Sequence, residues 1–253
     1  MRVLHDLGAV ERWLRRDPVL HLYELGDLDP FFVERAVFFG HGDAVAMLYL
    51  GYAEPALLAL GAPGEPAVVA LLEALHPVLP RRFHAHLAPG VAHALGPWTG
   101  EDHGPYVKMR WARPEAVDPV SDDEVVALTP GDEGEAVAFY DRVYPEHFFD
   151  PRTLQLGGAV GARRDGRLVA AAGVHVLSDA QRVASLGNIA VDPTCRRQGL
   201  GRRLTAALCR SLASRVDTLA LNVRADNGAA RACYRALGFV DHATFHEWTF
   251  HLG

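Results

Sequence analysis

One stretch of this sequence is rich in both glycine and arginine. It consists of Arg196, Arg197, Gln198, Gly199, Leu200, Gly201 and Arg202. Glycine reaches backbone conformations that other residues avoid, and it lets a ligand approach the main chain closely. From Leu200 to Ser214 the apolar residues recur at the spacing of a helix. Because the free amides at a helix N-terminus bind phosphate groups, the stretch predicts an anion-binding loop.

The spacing within this loop excludes two common nucleotide-binding motifs. The third glycine of a dinucleotide-binding GxGxxG pattern would fall on Leu204, and the lysine and hydroxyl residue of a GxxxxGKS/T loop are absent. The segment from Asp192 to Arg235 contains nine arginines against three aspartates, which favours a small polyanionic ligand. A plain glycine turn that opens a helix, with its arginines in solvent, is the alternative.

A second motif lies between Leu221 and Phe239, where a strand pattern is followed by a helix pattern. Tyr234 comes seven residues after Asn227, two helical turns along the same face. A tyrosine hydroxyl, with an ordinary pKa of about 10, is protonated at neutral pH and can donate a proton to a leaving group. A helix-capping role for Asn227 and a packing role for Tyr234 are the structural alternatives.

Together the two motifs resemble the GNAT superfamily of acyl-CoA-dependent N-acyltransferases. The resemblance consists of RxxGxG after the fourth strand and VRxxNxxAxxxYxxxGF across the fifth strand and its helix, and it covers roughly Ala127 to the C-terminal residue. It implies acetyl-CoA as the acyl donor. It also implies direct attack by a primary amine of a small molecule or peptide, through a tetrahedral intermediate. A non-catalytic acyl-CoA-binding or sensor module and a structural protein without a ligand are the competing hypotheses.

The resemblance assigns roles to individual residues. It makes Tyr234 the general acid and places the oxyanion donor on a backbone amide near Ile189 or Ala190. Glu146, His147 and His175 are expected to line the acceptor pocket, as wall residues rather than as a general base. The cofactor would be bound by Asn188, Ile189, Ala190, Val191, Arg196, Arg197, Gln198, Gly199, Leu200, Gly201, Arg202 and Asn227. All three asparagines of the chain, Asn188, Asn222 and Asn227, fall in this region.

The elements around these motifs alternate between strands and helices. Strand patterns at Ala159 to Ala162 and Leu168 to Val176 flank a tight Asp-Gly turn, and Val183 to Val191 forms the next strand. Interleaved strands and helices of this kind predict an α/β (α+β) fold with a mixed, mostly antiparallel central sheet flanked by helices, as in GNAT proteins. The first half repeats the same order of elements, which predicts two such modules in tandem.

A proline-rich segment from Arg113 to Ser121 is the expected linker. We therefore predict a degenerate GNAT-like domain at residues 1–115 and the acyl-CoA-binding catalytic domain at residues 116–253. At the corresponding loop the first half has Gly61 to Pro66, with two prolines that offer no amide hydrogen and an acidic residue. We expect this half to have lost cofactor binding. Such two-module chains are similar to the glycine N-acyltransferase-like branch.

Composition limits the other possibilities. The 253 residues are 49% hydrophobic and 22% charged with a formal net charge of −6, which is typical of a globular protein and gives no basic surface for nucleic acid. No apolar run approaches the ~18 residues of a membrane span, and the first residues lack the pattern of a secretory signal. The three cysteines lack metal-ligand spacing. We expect a cytoplasmic protein with no metal and no nucleic-acid or membrane partner. The sequence does not indicate an oligomeric state.

Overall fold

The computed structural model describes residues 1–117, 123–145 and 147–253. Its strands are β1 Arg2–Val3, β2 Ala36–His41, β3 Ala44–Tyr49, β4 Ala56–Ala59, β5 Arg82–Leu87, β6 Thr99–Trp111, β7 Val125–Ala127, β8 Val160–Arg164, β9 Arg167–Ser178, β10 Val183–Val191, β11 Thr218–Arg224 and β12 Phe239–His251. Its α-helices are α1 Leu7–Leu14, α2 Leu22–Gly26, α3 Pro66–Leu75, α4 Glu133–Val143, α5 Leu200–Leu212 and α6 Gly228–Ala236. Among the described residues, none of the helices has the length and apolar character needed to cross a lipid bilayer.

The chain folds into two compact units that are not continuous in sequence. The first unit contains Met1–Lys108, Val223–Asn227 and Asp241–Gly253, and the second contains Met109–Asn222 and Gly228–Val240. Strands β6, β11 and β12 therefore contribute residues to both units. The division at residues 115 and 116, with cofactor binding confined to the second part, stays a prediction.

In the first unit, strands β1 to β5 lie side by side in chain order, followed by the end of β12. Strands β4 and β5 run parallel, whereas the pairs β1–β2, β2–β3, β3–β4 and β5–β12 are antiparallel. Helix α3 packs on the sheet through Leu71, Leu72 and Leu75, which are buried with Phe83 and Phe250. Burial of this apolar face, more than helix propensity, holds the helix in place.

In the second unit the strand order is β11-β10-β9-β8-β7. Strands β10 and β11 are parallel, and the other neighbours are antiparallel. Asp165 and Gly166 join β8 to β9 with φ angles of 51° and 74°, as the Asp-Gly turn predicts. The buried face of helix α5 contains Leu200, Leu204 and Leu208. Helices α4 and α5 each pack against β9 and β10. The predicted mixed, mostly antiparallel sheet flanked by helices is confirmed.

Candidate active site

Strand β10 contains a β-bulge at the centre of the second unit. Gly187 pairs with Gly173 and the next pair is Ala190 with Ala171, so β10 has one residue more than β9 between these pairs. Asn188 lies at the bulge with a φ of 51°, a left-handed conformation that is uncommon for residues other than glycine. A bulge bends its strand and redirects the backbone groups beside it.

Two hydrogen bonds from neighbouring elements hold this bulge. The hydroxyl of Tyr140 on α4 donates to the backbone oxygen of Asn188 over 2.8 Å. The Asn188 side-chain amide donates to the backbone oxygen of Phe148 over 3.4 Å. Tyr140 is fully buried, and burial raises the pKa of its hydroxyl above the ordinary value, so the donor stays protonated. The strained backbone is thus fixed by buried polar contacts.

The strands β10 and β11 stop pairing shortly before the bulge. Their parallel register runs from Val183 opposite Thr218 to Leu186 opposite Leu221, although β10 continues to Val191. The residues of β10 predicted to bind the cofactor arm, Asn188, Ile189, Ala190 and Val191, all lie beyond the last of these pairs. Unpaired strand backbone can accept an extended ligand as an added strand.

Asp192 fixes the direction in which the chain leaves β10. Its buried carboxylate accepts hydrogen bonds from the backbone amide of Thr194 at 3.0 Å and from the Thr194 hydroxyl at 2.7 Å. The Arg142 guanidinium on α4 lies 2.5 Å away. The bonds from Thr194, together with Arg142, lower the pKa of Asp192 to about 2. The turn Pro193–Cys195 is thereby anchored to α4.

We expect Asp192→Asn to destabilise the protein at neutral pH. The unfolded-state pKa of aspartate is about 3.9 and the folded value is lower, so the stabilisation is complete above about pH 4 and is lost as the pH falls toward 2. The urea midpoint of the variant should lie below that of the wild type at pH 7, and the difference should shrink below pH 4. Asp165→Asn, at an exposed turn, is the control. A difference that is independent of pH would contradict the charge-based explanation.

The glycine and arginine loop presents a row of free backbone amides. Arg197 and Gly199 have φ angles of 60° and 78°, and Gly199 caps α5 without a side-chain hydrogen bond. The first bond into the helix is from the Arg203 amide to the Gly199 oxygen. In the described part of the chain, the amides from Arg197 to Arg202 have no acceptor within the protein. Six successive donors at the positive end of a helix form a site for an anion.

Gly201 leaves space above the main chain that the protein itself does not fill. A Cβ atom at this position would meet Val191 at 3.8 Å, an ordinary contact. The protein therefore has no steric need for glycine here, whereas a ligand that approaches the backbone does.

The side chains around the loop divide into paired and unpaired groups. Arg196 donates to the Val191 backbone oxygen at 3.2 Å, and Gln198 accepts from Arg164 at 2.6 Å. Arg197 and Arg202 are exposed and form no ion pair with any carboxylate that the structure describes. These two side chains are the ones free to turn toward a phosphate.

The corresponding loop of the first unit differs in its amides. The Glu65 carboxylate accepts from the amide of Ala62 at 3.0 Å, and the amide of Gly64 donates to the Pro89 oxygen at 2.8 Å. Pro66 is the first residue of α3 and has no amide hydrogen. These contacts occupy the donors that a phosphate would need, which supports the prediction that this loop does not bind the cofactor.

Tyr234 lies on α6, half-buried, with its ring 6.0 Å from that of Phe239. Its hydroxyl has no hydrogen-bond partner among the residues that the structure describes. Burial raises the pKa of this hydroxyl above the ordinary value, and the nearby Cys233 and Tyr144 add to the effect. The group is therefore protonated at physiological pH and is available to donate a proton.

Asn227 is exposed and belongs to the first unit, so its cofactor role stays a prediction.

The three residues predicted to line the acceptor pocket have different surroundings. The Nδ1 atom of His147 accepts from the amide of Phe149 at 3.1 Å, and its Nε2 lies 3.1 Å from Asp141. Both ring nitrogens of His147 are thus occupied, which favours a wall residue over a general base. The ring of His175 fills the space where a side chain at Gly187 would lie. The third residue, Glu146, lies outside the described residues.

Two residues of the site were not assigned a role from the sequence. The contact of Tyr140 with the bulge joins positions 48 residues apart, and no local pattern indicates it. Asn222 on β11 is partly exposed as a residue, but its two polar side-chain atoms are buried and have no partner in the described structure. The clustering of the three asparagines was the one sequence signal that could have drawn attention to it.

Comparison with known proteins agrees with this geometry. Residues 123–239 match the model of the Acetyltransferase (GNAT) family. The [Ribosomal protein bS18]-alanine N-acetyltransferase of Escherichia coli (strain K12) is 49% identical over 77 residues, which are 30% of this chain and 50% of that protein. The mycothiol acetyltransferase of Clavibacter michiganensis subsp. michiganensis (strain NCPPB 382) is 36% identical over 151 residues, which are 59% of this chain and 43% of that protein.

A solved structure extends the likeness of the fold to both halves. A tandem GNAT protein from the clavulanic acid biosynthesis pathway is similar with a TM-score of 0.57 and 18% identity, over 99% of this chain and 98% of that one. The chain spans about half the length of the curated relatives it matches. The segment of residues 123–239, which contains the bulged strand and the free amides, matches the GNAT family of acetyltransferases.

Proposed function

We propose that this protein transfers an acetyl group, or a related acyl group, from acetyl-CoA to the primary amine of a small molecule or peptide. The observation that carries the proposal is the row of six free amides from Arg197 to Arg202, directly after a bulged strand that has separated from its neighbour. The first feature suits a diphosphate, and the second suits an extended arm that carries amide groups.

The residues present fit coenzyme A. The amides of Arg197 to Arg202 would bind its diphosphate, with Gly201 giving access to the backbone and the exposed Arg197 and Arg202 adding positive charge. The backbone of Asn188 to Val191 would orient the arm. When bound, acetyl-CoA supplies an acyl group activated as a thioester.

Each catalytic task then falls to a residue of the second unit. A backbone amide near Ile189 or Ala190 would donate to the thioester oxygen, and a donor fixed by the bulge needs no reorganisation during the reaction. Tyr234 would hold a proton on its hydroxyl for the departing thiolate, since burial keeps that group protonated. The acceptor amine must be neutral to react.

The names of two relatives bear on the nature of the acceptor. The relatives are named for acetylation of the alanine of a ribosomal protein and for mycothiol, which supports an amine acceptor without choosing between a peptide and a small molecule.

Thiol release from acetyl-CoA in the presence of a panel of amines, amino acids and short peptides tests the proposal. We expect acceptor-dependent release, with the acetylated product identified by mass spectrometry. If the protein binds CoA but acetylates none of a broad panel, an acyl-CoA-binding module without turnover would be the better description.

A further inference from the structure

Asn222 is the first residue of β11 after its last pair with β10. Its Oδ1 and Nδ2 atoms are both buried, and neither has a hydrogen-bond partner in the part of the chain that the structure describes. A buried carboxamide without partners is destabilising, whereas an apolar side chain of similar size avoids that penalty. The side chain is therefore better suited to binding a ligand than to holding the fold.

The pairing of the strands shows which face of the sheet Asn222 occupies. Leu221 lies opposite Leu186, and side chains alternate along each strand, so Asn222 shares a face with Gly187. The His175 ring covers Gly187, since a Cβ atom there would lie 2.0 Å from His175 Cδ2. The Asn222 side chain and the His175 ring therefore lie on the same face of the sheet, just before the bulge at Asn188.

This face is also the one on which α4 packs. Ala171 and Ala190 are paired and lie in one buried cluster with Phe139 and Tyr140 of α4. Gly187 is paired with Gly173, two residues from Ala171, and therefore lies on the same face. The predicted acceptor residue His147 follows α4 in the chain. A cofactor arm that pairs with the backbone edge of β10 would lie in the plane of the sheet, between β10 and β11. Asn222 would then face the side of the sheet on which we expect the acceptor amine to bind.

The two atoms of Asn222 define the chemistry of the group they can bind. Oδ1 needs a donor and Nδ2 needs an acceptor, side by side. A protonated amine supplies only the first partner, and the lone pair of a neutral amine is needed for attack on the thioester, whereas an amide supplies an N–H and a C=O together.

We propose that Asn222 binds an amide group of the acceptor, so that the preferred acceptors carry the primary amine next to an amide, as in a peptide N-terminus or an amino-acid amide. The inference rests on the proposed acetyl transfer for its substrate. The arm of coenzyme A also contains amides, and the experiment must distinguish these two sources.

Alaninamide and isopropylamine form a matched pair of acceptors that differ by an amide in place of a methyl group. We expect the wild type to favour alaninamide in kcat/KM, and Asn222→Leu to reduce that preference by roughly ten- to a hundredfold. The affinity for CoA and the KM for acetyl-CoA should stay unchanged, and the melting temperature of the free variant should equal or exceed that of the wild type. Gln181→Leu, a carboxamide replaced in the turn before β10, is the control and should leave the preference unchanged.

Three results would overturn this assignment. The first is an unchanged preference for alaninamide in Asn222→Leu. The second is a loss of CoA affinity with that preference intact, which would assign the bound amide to the cofactor. The third is a fall of several degrees in the melting temperature of the variant, which would indicate a structural role for Asn222. Binding of alaninamide to the CoA-saturated protein, measured by calorimetry, tests the inference even without turnover. Weaker binding of alaninamide to Asn222→Leu than to the wild type would support the inference, and equal binding to the two proteins would contradict it. Absence of turnover with alaninamide binding intact would refute only the proposed transfer.

Discussion

Replacement of Tyr234 by phenylalanine is expected to lower kcat about 10²- to 10⁴-fold, the range typical for loss of a general acid. The Tyr234 hydroxyl has no partner among the described residues, and burial raises its pKa, so the wild-type group is a protonated donor at neutral pH. Phenylalanine keeps the ring that packs near Phe239 but has no proton to give. Steady-state acetyl transfer, with CoA affinity measured separately by calorimetry, checks the expectation.

The matched control for this variant is Tyr52→Phe, which removes a tyrosine hydroxyl from the first unit. Its kcat should equal that of the wild type. CoA affinity should be nearly the same in all three proteins, because Tyr234 is assigned to the proton and not to the diphosphate. An unaltered kcat in Tyr234→Phe would remove the acid role, and a lost CoA affinity would assign the hydroxyl to binding instead.

Gly201→Asp is expected to weaken CoA binding by roughly a hundredfold or more, because a carboxylate would lie where the diphosphate binds. The same change should leave the fold intact. A Cβ atom at Gly201 meets Val191 at 3.8 Å, and an acidic residue in the first turn of a helix stabilises it through the helix dipole. We therefore expect the melting temperature to be maintained or raised while CoA affinity, followed by titration calorimetry, is lost.

The variant Gly201→Ala separates the effect of side-chain volume on CoA affinity from the effect of negative charge. It adds one methyl group without a charge, so its CoA affinity should lie between those of the wild type and the aspartate variant. Wild-type affinity in Gly201→Asp would show that the diphosphate does not bind at the start of α5.

The elements that position the loop follow from local sequence patterns. The strand pattern from Val183 to Val191 gives β10 with the bounds that the structure shows, and the apolar repeat that starts at Leu200 gives α5, which ends at Leu212 instead of Ser214. The residues from Ala67 to Leu79 also predict a helix, and helix α3 of the structure is shorter. It ends at Leu75 because Pro77 cannot continue a helix.

The features that shape the site depend on contacts between distant residues. The bulge at Asn188 is held by Tyr140, and the separation of β10 from β11 is visible only in the register of the paired strands. Neither can be derived from spacing along one segment. The sequence likewise could not predict that the Asn222 carboxamide has no hydrogen-bond partner in the described structure, because burial of a side-chain atom depends on how the folded chain packs.

The most direct test of the account is a titration of isotopically labelled protein with coenzyme A, followed in amide-resolved NMR spectra. We predict that the backbone resonances of residues 197 to 202 shift most strongly and saturate together, and that Gly201→Asp abolishes these shifts. If those resonances stay in place while the protein is folded, or if other amides shift instead, the assignment of this loop to the diphosphate is wrong.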